Sequence, residues 1–224
     1  MSSSKIFCIG LHKTGTTSLH KMAEHNGLKS HHSTKWQNDL NKINQYDFLC
    51  DGGSHYDHQN EIDFEFLRAN FKNSKFIINM RPIKPWIISK LKHAGWTQDT
   101  IFEQDKTSYL HEEWKLKSKK NIELFIDHYL NRYIKIFTYF LDKTNEAYYA
   151  DICSNDIMHL KFLLKDTTHI FHANKNVENR ELSLFVINLI DSCIANRQIK
   201  LKHLHALKDK FKNIKNKENY HEQQ

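Results

Sequence analysis

The sequence predicts an α/β fold: a central, mainly parallel sheet of four to five strands flanked by helices, with more helices at the C-terminal end. Three observations carry this. Apolar runs at Lys5–Ile9, Tyr46–Cys50, Lys75–Met80 and Ala147–Ile152 have the length of buried strands. The segments between them repeat apolar residues three and four apart, as a helix does when it buries one face. Lys13, Asp51, Arg81 and Asp151 fall at the ends of these runs, and open parallel sheets bind ligands beyond the C-terminal ends of their strands.

Each element has a local reason. Lys5–Ile9 is a short apolar strand, and Thr16–Asn26 a helix (Leu19, Met22, Ala23) that Gly27 stops. Ser30–Asn44 is polar and histidine-rich, with a short helix over Trp36–Ile43. Tyr46–Cys50 is a strand that ends in the loop signal Asp51-Gly52-Gly53. Ile62–Phe71 has helical spacing, and Lys75–Met80 is the strongest strand. Pro85–Lys92 is a helix with proline in its first turn, where it is tolerated. Residues 95–113 read as a polar loop or lid. Trp114–Leu141 is a long helix, Ala147–Ile152 a strand and Asp156–Leu164 a helix. Residues 170–180 form a loop, and Glu181–Ala195 and Ile199–Ile214 are two closing helices.

Composition narrows the classes. A chain of 224 residues can build one sizeable core, expected over about residues 5–180 with a helical extension over 181–224. No apolar run approaches the ~20 residues of a membrane helix. Lys5 already begins the first strand, which leaves no room for a signal peptide, so a cytoplasmic location is expected. Cys8, Cys50, Cys153 and Cys193 are scattered without a C-x-x-C pair, which predicts free thiols. The net charge is +7, and residues 199–224 supply +4 of it through seven lysines. Such a run reads as a solvated helix face, with no nucleic-acid partner expected. Oligomeric state is not legible.

The chemistry begins at Gly10-Leu11-His12-Lys13-Thr14-Gly15-Thr16-Thr17-Ser18. A glycine-flanked loop between a strand and a helix is a phosphate cradle, because its backbone amides and the helix N-terminus converge on an anion. The ATP-binding pattern G-x-x-x-x-G-K-[ST] sets lysine directly after the second glycine. Here Thr16 holds that place, and Lys13 precedes Gly15. A second pair follows the third apolar run: Arg81 offers a fork of donors, and Ser89, eight residues on, offers a hydroxyl. Together they suit a second phosphate.

With both motifs, the chain resembles the sulfotransferases that use 3′-phosphoadenosine 5′-phosphosulfate, a branch of the P-loop-containing nucleotide-binding fold. Lys13-Thr14-Gly15-Thr16-Thr17 is similar to that family's K-x-G-T-T loop. The resemblance assigns this loop, with the adjoining Ser18, to the 5′-phosphosulfate, and Arg81 and Ser89 to the 3′-phosphate. His172-Ala173-Asn174-Lys175 resembles a loop that closes over the nucleotide in carbohydrate-type members, which brings Lys175 to the cofactor. The aromatic residue that often follows T-T is Ser18 here, and the R-K-G loop of cytosolic members is absent. Trp36 is then the candidate to stack on adenine. The resemblance implies sulfuryl transfer to a hydroxyl of a small molecule or glycan, with 3′-phosphoadenosine 5′-phosphate as product and no metal.

In that scheme Lys13 stabilises the leaving phosphate, and the acceptor hydroxyl needs a general base. By position the candidates are Asp51 and His55, at and after the strand that ends at Cys50, and then His32, after the first helix. His55 and His58 also stand at a spacing that a zinc ion uses, without a second pair. Two rivals remain: an ATP-dependent kinase of the P-loop class, and a nucleotide-binding homologue without catalysis.

Overall fold

The computed structural model describes residues 4–53, 61–93, 119–169, 182 and 184–221. In chain order the elements are β1 (Ile6–Cys8), α1 (Thr16–His25), β2 (Ser30–His32), α2 (Leu40–Asn44), β3 (Phe48–Cys50), α3 (Phe64–Asn70), β4 (Lys75–Asn79), α4 (Ile83–His93), α5 (Lys119–Phe140), β5 (Ala147–Ala150), a 3-10 turn (Met158–Phe162), α6 (Leu184–Ala195) and α7 (Gln198–His221). The five strands form one sheet in the order β2-β3-β1-β4-β5, and every pairing is parallel. β1 is therefore central, with Ile6 in register with Phe48 on one side and Lys75 on the other.

Alternation along the strands splits the core in two. Phe7, Leu49, Phe76, Ile78 and Tyr149 point to the face that α3, α4, α5, α6 and α7 cover. Ile6, Cys8, Phe48, Cys50, Ile77 and Ala150 point to the other, against Leu19, Met22 and Ala23 of α1 and Leu160 of the 3-10 turn. Helix α5 crosses the first face on Phe125, Ile126, Tyr129, Tyr133, Ile136, Phe137 and Phe140, all buried at helical spacing.

The structure corrects the sequence reading in four places. The polar stretch 30–44 contains a strand: Ser30, His31 and His32 pair with Phe48, Leu49 and Cys50. β2 lies at the sheet edge and is only half-buried, so it has no apolar run to advertise it; pairing, not propensity, makes it a strand. The short helix begins at Leu40, because the Asp39 side chain accepts from Lys42 N and caps it. The helix expected at Asp156–Leu164 shortens to a 3-10 turn. The lysine-rich α7 is not simply a solvated face: Leu204, Phe211 and Lys215 are buried. Lys215 Nζ donates to Thr144 O at 2.8 Å and lies 4.0 Å from the Tyr148 ring centre.

Cys8, Cys50 and Cys193 are free and buried, whereas Cys153 is free and exposed. Among the described residues no helix is long and apolar enough to cross a membrane. The expected lid at 95–113, the loop at 170–180, and His55, His58 and Lys175 lie outside the described residues.

Candidate functional site

The loop between β1 and α1 is held from below by side chains of β4, α4 and α5. Gly10 packs so closely on β4 that a Cβ there would stand 1.8 Å from Asn79 O. Only glycine fits. Gly10 N donates to Asn79 Oδ1 at 2.8 Å. Asn79 Nδ2 donates to Thr14 Oγ1 at 2.6 Å, and that hydroxyl donates to Leu11 O at 2.5 Å. Leu11 N donates to the Tyr133 hydroxyl at 3.2 Å, which in turn donates to Asn79 O at 2.7 Å. Trp86 Nε1 donates to His12 O at 2.9 Å, and Arg132 reaches Ile9 O at 3.0 Å.

Anchored at these points, the chain turns through two left-handed residues, Lys13 (φ 63°) and Gly15 (φ 89°). A lysine there is held by its surroundings at some cost, a pattern that concentrates at functional sites. Gly15 caps α1, and the first bond of the helix runs from Leu19 N to Gly15 O. The amides of the preceding first turn therefore have no partner within the helix. They face the C-terminal edge of the sheet with the positive end of the helix dipole.

Around this loop the strand ends bring together most of the predicted residues. Asp51 follows β3, is buried and has φ 61°. Thr16 Oγ1 donates to Asp51 Oδ1 at 3.0 Å. His32 Nε2 lies 3.1 Å from Thr16 Oγ1, 3.3 Å from Thr17 Oγ1 and 3.8 Å from Asp51 Oδ2. Since the Thr16 hydroxyl proton is directed at Asp51, a proton on His32 Nε2 completes the chain His32 to Thr16 to Asp51. Ser18 is buried in the first turn of α1.

No family model, curated protein or solved structure matches this chain.

Two cations meet at the loop. Arg81, after β4, directs NH1 to Lys13 O at 3.4 Å, and its Nε is buried with no hydrogen-bond partner among the described residues. Its own carbonyl accepts from Tyr129 OH at 2.6 Å. Burial holds the Lys13 ammonium below the usual lysine range; Asp51 opposes that shift and Arg81 adds to it. The site is thus short of negative charge, and an anion entering it would be welcomed by both side chains. Beside them, partial desolvation pushes the Cys153 thiol up, against the pull of Arg81. Ser89 lies half-buried in the second turn of α4.

Some expected roles change. Thr14 is buried with its hydroxyl bonded inside the loop, so its side chain shapes the cradle and does not face a ligand. Trp36 cannot stack on adenine. It is wholly buried against Phe7, its Nε1 donates to Cys50 O at 3.0 Å, and a Cβ on Gly52 would lie 2.5 Å from its ring. The Asp151 carboxylate accepts from Cys153 N and Ser154 N at 3.0 and 3.1 Å and so fixes the turn after β5. His32, the candidate furthest back in the sequence reading, is the histidine that the described structure brings to the loop. The sequence reading missed Asn79, Trp86, Tyr129, Arg132 and Tyr133. One signal was present: Asn79 interrupts the apolar run Phe76-Ile77-Ile78-Asn79-Met80.

A cavity of about 350 Å³ opens between the loop after β2 and the start of α3, lined by Gln37, Asn38, Glu61, Asp63 and Phe66 among others.

Proposed function

We propose that this protein binds 3′-phosphoadenosine 5′-phosphosulfate and transfers its sulfuryl group to an acceptor hydroxyl. One observation carries the reading: Arg81 and Lys13 converge on the same glycine-flanked loop from neighbouring strands, with Arg81 Nε buried and without a hydrogen-bond partner among the described residues. A donor with phosphate groups at both ends of its ribose needs two cationic contacts beside one amide cradle. The residues fit it. The Gly15 amide and first turn of α1, with the Thr16 and Thr17 hydroxyls, suit the 5′-phosphate, and Arg81 with Ser89 suits the 3′-phosphate.

When bound, the donor supplies an activated sulfuryl group on a phosphate leaving group. Lys13, desolvated and still drawn to anions, would neutralise the charge that grows on the leaving phosphate oxygen. Anion contacts would turn the Thr16 and Thr17 hydroxyls away from Asp51 and His32. That frees the Asp51 carboxylate to take the acceptor proton, whereas His32 takes it at Nε2 only as the tautomer that carries its proton on Nδ1. Asp51→Asn and His32→Ala separate the two: the variant of the true base loses turnover without losing donor affinity. The acceptor reading is a hydroxylated small molecule or sugar, for which the cavity lined by Gln37, Asn38, Glu61 and Asp63 offers amide and carboxylate partners.

A second reading has its own support. A buried carboxylate 3.0 Å from a loop hydroxyl, as Asp51 is from Thr16, resembles the pair that holds Mg²⁺ in ATP sites. Calorimetry with 3′-phosphoadenosine 5′-phosphate and with ATP–Mg²⁺ decides between them. Tighter binding of the 3′-phosphorylated nucleotide is expected, and tighter binding of ATP–Mg²⁺ would overturn the proposal in favour of the kinase reading.

A further inference from the structure

At the other end of α1 from the phosphate loop, two histidines meet one carboxylate. His25 closes the helix, and His169 and Asp166 follow the 3-10 turn. His25 Nε2 lies 3.0 Å and His169 Nδ1 3.4 Å from the same oxygen, Asp166 Oδ2. The three ligand atoms are all within 4.8 Å of one another. We propose that His25, Asp166 and His169 form a zinc site that ties the segment after the 3-10 turn to the C-terminal end of α1.

The geometry is that of a ligand set. Zinc takes imidazole nitrogen and carboxylate oxygen at about 2.0–2.2 Å with tetrahedral angles, so neighbouring ligand atoms stand about 3.3 Å apart. The two measured separations from Asp166 Oδ2 bracket that value. A lone ion pair needs one histidine on the carboxylate; here two converge on one oxygen, with ring centres 4.9 Å apart. The carboxylate is also oriented from behind. Its other oxygen, Oδ1, accepts from Thr168 Oγ1 at 2.6 Å and from Thr168 N at 2.8 Å, which turns Oδ2 toward the imidazoles. Outer bonds of this kind fix metal ligands.

The backbone is fixed as well. Asp166 N donates to Asn26 Oδ1 at 2.7 Å, and Asn26 Nδ2 donates to Asp166 O at 2.7 Å and to Met22 O at 2.8 Å. Asn26 is the C-cap of α1, so one residue joins helix end and ligand loop. The side chains of His25 and His169 are 39% and 66% exposed, which leaves the remaining coordination position to water. Imidazole favours zinc, cobalt, nickel and copper over magnesium and calcium, which prefer oxygen ligands alone. Ten residues of α1 separate this site from the phosphate loop, about 15 Å along the helix axis, so it does not depend on the function proposed there.

The test uses the full chain, freed of metal, with Zn²⁺ titrated against a chromophoric chelator. The chain has 16 histidines, so the comparison is with His25→Ala and with the exposed His169→Gln, whose fold is checked by circular dichroism. The wild-type chain should hold its first zinc equivalent at least tenfold more tightly than either variant, and Zn²⁺ but not Mg²⁺ should raise its melting temperature. Co²⁺ in place of Zn²⁺ should give visible absorption that either substitution removes. Equal first-equivalent affinity in wild-type and variants would overturn the site.

Discussion

Asn79→Ala tests how the loop between β1 and α1 is built. Asn79 is wholly buried, and its amide bonds Gly10 N at 2.8 Å and Thr14 Oγ1 at 2.6 Å, with a longer bond to Leu11 O at 3.4 Å. Each of the two short bonds contributes about 1 kcal/mol net. The truncation also leaves the Gly10 N–H buried without an acceptor, which costs about 1–3 kcal/mol more. The loss should therefore be roughly 3–5 kcal/mol, a large share of the ~5–15 kcal/mol that a domain has in total. Urea unfolding measures the stability, and calorimetry with 3′-phosphoadenosine 5′-phosphate measures the cradle. Asn79→Asp is the informative partner: it keeps an acceptor for Gly10 but sets a negative charge beneath the proposed anion site, so it should weaken nucleotide binding more than Asn79→Ala does. If Asn79→Ala costs under about 1 kcal/mol and binds nucleotide as the wild type does, the loop is not held from β4.

Three further outcomes follow from the same geometry. Gly10→Ala should destabilise by roughly 3 kcal/mol or more, the upper end of overpacking costs, because its Cβ meets the Asn79 backbone; a melting temperature within a degree or two of wild type would contradict the β1–β4 packing. Arg132→Ala breaks a part-buried pair with Glu61 (2.9 Å) and frees the buried Ile9 O and Ile62 O, so urea unfolding should show a loss of about 3 kcal/mol, the low end for a buried pair because Glu61 keeps its contact with His128. For Lys13 the signs of two pH effects oppose. Burial lowers its pKa below that of the unfolded chain, so the folded state gains stability as pH rises through that window, while nucleotide affinity falls as the ammonium loses its proton. Lys13→Arg should keep affinity at alkaline pH, and identical alkaline profiles for Lys13→Arg and wild type would mean that Lys13 does not touch the anion.

Much of the fold was legible because burial on both faces turns the central strands into apolar runs. β1, β3, β4 and β5 stand out that way, and the glycine spacing of residues 10–15 marks the loop. β2 did not, since an edge strand written Ser-His-His depends on pairing with β3. That omission left His32 third among the candidate bases, and it reaches the site because β2 ends beside Asp51 and Thr16. Trp36 shows the opposite error. An aromatic near the site suggests stacking, but the space left by Gly52 draws its ring into the core. The supports of the loop were beyond local reading: Asn79 meets Gly10 across 69 residues, and Tyr133 meets Leu11 across 122. His25 and Asp166 are 141 apart, so no spacing could have joined them.

The central claim is that Arg81 gives the Lys13 loop a second phosphate contact. The most direct measurement is the calorimetric preference for 3′-phosphoadenosine 5′-phosphate over adenosine 5′-phosphate, in wild type and in Arg81→Ala. A charge-assisted contact of about 1.5–3 kcal/mol predicts a preference of about 10- to 150-fold in wild type that largely disappears in the variant. Equal binding of the two nucleotides by the wild-type protein, or a preference untouched by Arg81→Ala, would contradict it.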